Sequence, residues 1–256
     1  MPSDWLAAGA SGVPAGGQPD LRGPARASEV SRLAGGCVAS FAGLAVVAAQ
    51  PPGSWLGRID TAVTGAVAGA RTAAAVRAAR AVSSLAEPGP AAVLLAATTA
   101  AAVRRAGWRE GCAPFLTVAA GMTARRKLSA VVARQRPPAA LWLAEPEGFS
   151  LPSRHTALAA LTAGACASAL GARRGTGHAA ALLAAGGVGA GRVCLGVHWP
   201  SDVLAGWLFA AGWLDLCRWL QPPAMPASGP GTPAHRRTGR SSPWAFPTAS
   251  SSGARP

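Results

Sequence analysis

Six apolar segments of near-membrane length follow one another between residues 33 and 220, and they limit this chain to an all-α membrane bundle. They run from about Leu33 to Ala49, Pro90 to Val103, Gly111 to Val132, Thr156 to Ala172, His178 to Leu195 and Val203 to Leu220. A helix needs roughly 20 such residues to cross a bilayer. Backbone groups in lipid find no water, so each span must close its hydrogen bonds internally as a helix. The segments are rich in alanine, which inserts weakly, so their lengths and flanks carry the argument. Only 13% of all residues are charged, about half the share usual in soluble domains.

Pro51-Pro52-Gly53 ends the first segment, and Trp55 to Ser84 then scatters Arg58, Arg71, Arg77 and Arg80 among alanines and valines. That pattern predicts an amphipathic helix lying at the membrane surface, with the arginines reaching for headgroups. Arg104, Arg105 and Arg109 follow the second segment, and Arg173 and Arg174 follow the fourth. Counted as positive-inside loops, they place both termini in the cytoplasm of a multi-pass protein of the cell membrane. Residues 1–32 read as a disordered cytoplasmic tail, 33–220 as the membrane domain and 221–256 as a disordered basic tail, since the ends are rich in Gly, Pro, Ser and Arg.

Lys and Arg number 24 against 10 Asp and Glu, an excess suited to phosphate-bearing partners or an anionic lipid surface. Nucleic acid is disfavoured, because the basic residues form no long run interleaved with aromatics that would stack on bases. Cys37, Cys112, Cys166, Cys194 and Cys217 stand singly in apolar stretches and read as small buried hydrophobes. His178 and His235 read as structural.

With six spans and both ends inside, three distant stretches emerge on the outer face: Arg134-Gln135-Arg136-Pro137-Pro138, Pro152-Ser153-Arg154-His155, and Gly191-Arg192 with His198-Trp199-Pro200-Ser201-Asp202. Guanidinium forks orient a phosphate by paired hydrogen bonds. Of two histidines, one can attack phosphorus while the other protonates the departing oxygen. Asp202, four residues beyond His198 with Pro200 suited to a first helical turn, can hold one ring nitrogen and aim the other. A zinc site from His155, His198 and Asp202 has suitable ligand types, but the surrounding guanidinium charge disfavours a cation.

These residues resemble the type 2 phosphatidic acid phosphatase (PAP2) superfamily, bacterial membrane type, whose signature is K-x6-R-P, then P-S-G-H, then S-R-x5-H-x3-D. Arg192, His198 and Asp202 reproduce the third spacing, with Gly191 in place of serine, and Pro152-Ser153-Arg154-His155 is the second part with Arg154 in place of glycine. The resemblance spans about Ile59 to Leu220. It implies a hydrolase of lipid metabolism in which His198 becomes phosphorylated, Asp202 orients it and His155 protonates the leaving group. It further implies that Arg136, Ser153 and Arg192 bind the phosphate oxygens, with Arg154 and nearby backbone amides beside them, and that no metal or other cofactor is needed. The first part departs: Ser129 stands where lysine is expected, seven residues before Arg136, and Lys127 falls two residues too early. Arg125 and Arg126 share a helical face with Ser129, yet helical side chains lean toward the N-terminus, away from the pocket. Arg126, Lys127 and Arg134 are further candidates for the phosphate.

The reading is therefore a membrane phosphatase acting on a lipid phosphate or isoprenyl diphosphate, with membrane lipids as its surroundings and no nucleic-acid partner. A catalytically impaired relative that only binds headgroups, and a vanadate-dependent haloperoxidase, are the alternatives.

Overall fold

The computed structural model describes residues 22–51 and 53–220, and among these the chain is helical with no strand. The elements are α1 (Arg22–Ala48), α2 (Trp55–Gly69), α3 (Ala73–Ser84), α4 (Pro88–Ala106), the single turn α5 (Trp108–Gly111), α6 (Ala113–Val132), α7 (Arg154–Ala169), α8 (Arg174–Cys194) and α9 (Pro200–Leu220). The expected segments correspond to α1, α4, α6, α7, α8 and α9. Helix α1 starts within the stretch read as the N-terminal tail; the rest of that tail and all of the C-terminal one, 221–256, lie outside the described residues.

Two expectations change. By length and hydropathy, two described helices qualify as membrane spans, Ser28–Ala48 and Pro200–Leu220, and a third if α3 and α4, bent by 45°, count as one. Alanine and interior arginines such as Arg125 and Arg126 in α6 hold the other segments' hydropathy down. The single amphipathic helix expected over 55–84 is two helices. Ser54 Oγ caps α2 through Gly57 N at 3.2 Å, and Thr72 Oγ1 caps α3 through Ala75 N at 3.1 Å, so the second cap restarts the helix after Ala70 and Arg71.

Helix α7 is the central post, packed by α4, α6, α8 and α9, while α1 lies along α9 and α3 along α8. Small residues set these distances. A Cβ on Gly189 of α8 would lie 2.2 Å from Val203 of α9, and one on Gly206 of α9 would lie 3.0 Å from Thr156 of α7. Backbones therefore approach closely where lipid-exposed helices gain most from van der Waals contact. The core holds Leu151, Leu158, Leu161, Phe209 and Leu214.

The turn from α8 to α9 positions the site. Gly196 has φ 74°, a left-handed conformation that costs other residues roughly 1–3 kcal/mol. Leu143 N donates to Leu195 O at 2.9 Å, drawing the loop after α6 across this turn, and a Cβ on Gly196 would sit 2.1 Å from Leu141 O. Replacing Gly196 by Ala is expected to lower the melting temperature in detergent by several degrees. An unchanged melting curve would show that the crossing tolerates a side chain.

Candidate active site

His198 ends the turn, and Pro200 and Asp202 begin α9, so the carboxylate lies in the first turn, where a helix favours negative charge. Arg192 lies in the last turn of α8, the end that favours a cation. Both His198 and Asp202 are essentially closed to solvent. A buried carboxylate costs several kcal/mol unless its lone pairs are satisfied. Asp202 Oδ2 accepts from Trp199 N at 2.8 Å and from Ser150 Oγ, and lies 3.4 Å from His198 Nδ1. Its Oδ1 accepts from Arg134 Nη1 at 2.8 Å.

The imidazole is thereby oriented. Nδ1–H points to Asp202, leaving the Nε2 lone pair toward Arg136 Nη1 at 3.2 Å. Arg136 is fixed in turn by the carbonyls of Val197 (2.6 Å), Glu147 (2.7 Å), Gly148 (3.0 Å) and Phe149 (3.1 Å). Burial lowers the His198 pKa from its ordinary 6.5, against the pull of Asp202 and with help from the Arg136 and Arg192 charges. The ring is neutral, and so nucleophilic, at neutral pH.

The second histidine sits at the start of α7. His155 Nε2 lies 2.9 Å from Glu87 Oε1, while its buried Nδ1 has no hydrogen-bond partner. Arg154 lies 3.7 Å from Glu87 and 3.2 Å from Glu147. Arg192 is buried with its Nε unpartnered, and its charge acts on both His155 and His198. Ser153 N donates to Asp202 O at 3.1 Å, tying the two histidine segments together, and Ser153 Oγ accepts from Thr156 Oγ1 at 3.1 Å.

The remaining sequence candidates fall into different settings. Arg134 bridges Asp202 and Asp60, whose Oδ2 accepts from Nη2 at 2.7 Å. Arg126 and Lys127 are exposed on α6. Arg125, expected to lean away, reaches the second segment and donates to Pro152 O at 2.9 Å. His178 lies 3.3 Å from Asp215, within the bundle. Among the described residues, no group of three or more His, Cys, Asp or Glu could hold a metal ion.

Three contributors were missed. Asp60 of α2 accepts from Ser201 N at 2.9 Å, from Ser201 Oγ at 2.5 Å and from Arg134. Ser150 holds Asp202, and Glu87 holds His155. A signal existed for Asp60: it is the sole acid between Glu29 and Glu87, and an acid in an otherwise apolar helix marks a partner or a function.

Residues 110–226 match the family model described as the PAP2 superfamily, as the resemblance of the motifs implied. That match supports a hydrolase of phosphoric monoesters. Among solved structures, one match is the crystal structure of the first transmembrane PAP2 type phosphatidylglycerolphosphate phosphatase from Bacillus subtilis. At 22% identity and a TM-score of 0.62 it covers 72% of this chain and 94% of that one, and shows the same fold. No curated protein matches the chain.

Two outcomes follow from this geometry. Asp60→Ala leaves Arg134 with one carboxylate and Ser201 N without an acceptor, so stability is expected to fall by about 3 kcal/mol. Denaturant unfolding in detergent measures this, and a change within error would mean that Asp60 holds nothing. Because burial lowers the His198 pKa from its ordinary 6.5, the ring takes up a second proton only below that value. The acid limb of kcat/KM, corrected for substrate ionisation, should lie below about pH 6.5; a limb above that value contradicts a buried neutral imidazole.

Proposed function

We propose that this chain, matched to the PAP2 superfamily over 110–226, is a membrane phosphatase that hydrolyses a lipid phosphate or isoprenyl diphosphate through a phosphohistidine. One observation carries the reading: His198 has Nδ1 on a buried carboxylate and Nε2 facing a fixed guanidinium. A nucleophile so held meets an anion whose charge Arg136 and Arg192 neutralise.

In the proposed reaction, His198 Nε2 attacks phosphorus as the bond to the leaving oxygen breaks. His155, carrying a proton, delivers it to that oxygen. Its Nε2 is held by Glu87, so the unpartnered Nδ1 is the nitrogen available for this transfer. The same histidine then takes a proton from water as the water attacks the phosphohistidine, releasing phosphate and restoring His198. Arg192, Ser153 and Arg154 supply donors to the phosphate oxygens, and Arg136 adds the Nη1–H that faces His198 Nε2, its other donors being held by carbonyls. Arg134 holds Asp202 instead of substrate, since both its terminal nitrogens are bonded to carboxylates.

The topology completes the proposal. Six helices, α1, α4, α6, α7, α8 and α9, cross the cell membrane with both termini in the cytoplasm and the site at the outer face. The impaired-relative alternative rests on Ser129, where the lysine of the first motif is absent. Arg125 on the Pro152 carbonyl counts against it, because a cation is restored to the same region.

His198→Ala is expected to reduce phosphate release from phosphatidic acid and isoprenyl diphosphate by about 10³-fold or more. The parent protein should yield a 32P-labelled, acid-labile histidine adduct when quenched during turnover. Equal release by mutant and parent, or a parent that binds lipid phosphate without releasing any, removes the reading.

A further inference from the structure

We infer that the end of the bundle remote from His198 holds a second anion site, which seats the phosphate of an anionic phospholipid headgroup. Helix α9 joins the two ends: Asp202 lies in its first turn and Arg218 in its last. At 1.5 Å per residue they stand about 24 Å apart along the axis. At the far end a cavity of about 230 Å3 opens between the closing turns of α4, α7 and α9 and the first turn of α6. Its polar lining includes Arg105, Arg218, Ser168 and Thr117, and none of these belongs to the cluster around the two active-site histidines.

The charged wall suits phosphate oxygens. Arg218 is half-buried, and its Nη2 donates to Ser168 Oγ at 2.6 Å, while Ser168 Oγ donates to Gly164 O at 2.7 Å. This relay fixes a guanidinium of α9 against α7. Arg105, from the last turn of α4, is exposed at the rim. Among the described residues no acid lines the cavity, and Asp215, three residues before Arg218, lies 3.3 Å from His178 of α8. A cation in the last turn of its own helix answers that helix's dipole, which accounts for either arginine singly. Here the two also meet at one hollow, and guanidinium forks grip a phosphate by paired hydrogen bonds.

Size and lining select a lipid over a free anion. Small-molecule sites usually span roughly 300–1,000 Å3, so this smaller hollow takes a headgroup and leaves the acyl chains outside. Most of the remaining lining is apolar, alanine with Pro114 and Leu214, a surface that glycerol and upper acyl carbons cover favourably and a hydrated ion does not. Trp108 and Trp219, 68% and 49% exposed, belong to the same end of the bundle, and exposed tryptophans mark the headgroup level of a bilayer. In the topology proposed above this end is cytoplasmic. Anionic lipids give that leaflet its negative surface, and basic pockets between helices on that side take their headgroups.

The full-length protein in detergent is titrated with short-chain phosphatidylglycerol, short-chain phosphatidylcholine and inorganic phosphate while its melting temperature is followed. Phosphatidylglycerol should raise the melting temperature saturably, with an apparent affinity roughly tenfold or more above that of either other probe. Two variants test the place. Arg105→Gln removes one cation from an exposed position, and Ala169→Leu fills the hollow from its apolar side without changing charge. Each should weaken the phosphatidylglycerol response by roughly fivefold or more, and lipid-free melting curves check that both fold like the parent. A lipid bound at the active site would give a response that survives both substitutions, and that outcome overturns the inference. An equal response to phosphatidylcholine overturns it as well, and so does one to inorganic phosphate that matches the lipid's. Phosphatidylglycerol carries only a phosphodiester, so no turnover enters the readout and the result stands apart from the phosphatase reading.

Discussion

A carboxylate with no access to water is the constraint around which this protein is arranged. Asp202 is fully buried, and such a charge persists only if fixed donors replace the water it has lost. The donors come from four places: the backbone of Trp199, the hydroxyl of Ser150, the ring of His198 and the guanidinium of Arg134. They lie at the two ends of the loop joining α6 to α7 and in the turn after α8. The loop after α6, the loop before α7 and the turn after α8 all have to be in place before the carboxylate is satisfied. Satisfying Asp202 and assembling the site are therefore one structural event.

Arg134 extends this dependence to α2. It carries one positive charge between the carboxylates of Asp202 and Asp60, and Asp60 also receives Ser201 from the first turn of α9. The arrangement is a buried acid–base–acid chain in which the hydroxyl and amide of Ser201 supply the remaining donors. Such networks are stable only when complete. Helix α2, which reads as a surface element, is in this way part of the framework beneath His198.

The opposite imbalance holds in the guanidinium cluster beside His198. Arg125, Arg136, Arg154 and Arg192 gather there, and burial lowers the proton affinity of Arg136, with the Arg154 charge adding to it against the pull of Asp202 and Glu147. Neighbouring carboxylates meet this charge only in part, and the Nε atoms of Arg125 and Arg192 are buried without partners. Like charges held together by a folded scaffold store repulsion that an anion relieves. His198 is oriented by a satisfied network, whereas the guanidinium cluster beside it is left electrostatically incomplete.

Much of this could be read from local spacing. Helix positions followed from apolar segment length, and His198, Pro200 and Asp202 lie so close in sequence that a turn followed by a first helical turn brings the carboxylate beside the ring whatever the rest of the fold does. The pairing of Glu87 with His155, of Asp60 with Arg134 and of Ser150 with Asp202 joins residues more than fifty positions apart, and no periodicity encodes such partners. The same holds for Arg125. Helical side-chain direction argued against its reaching the site, yet the packing of α6 beside α7 brings the Pro152 carbonyl within range. The sequence alone determined which chemical groups are present and the short-range geometry that follows from backbone periodicity. Tertiary structure alone decided which buried charge neutralises which, because electrostatic partnership depends on distance through space and on the exclusion of water, and both exist only once the helices have packed.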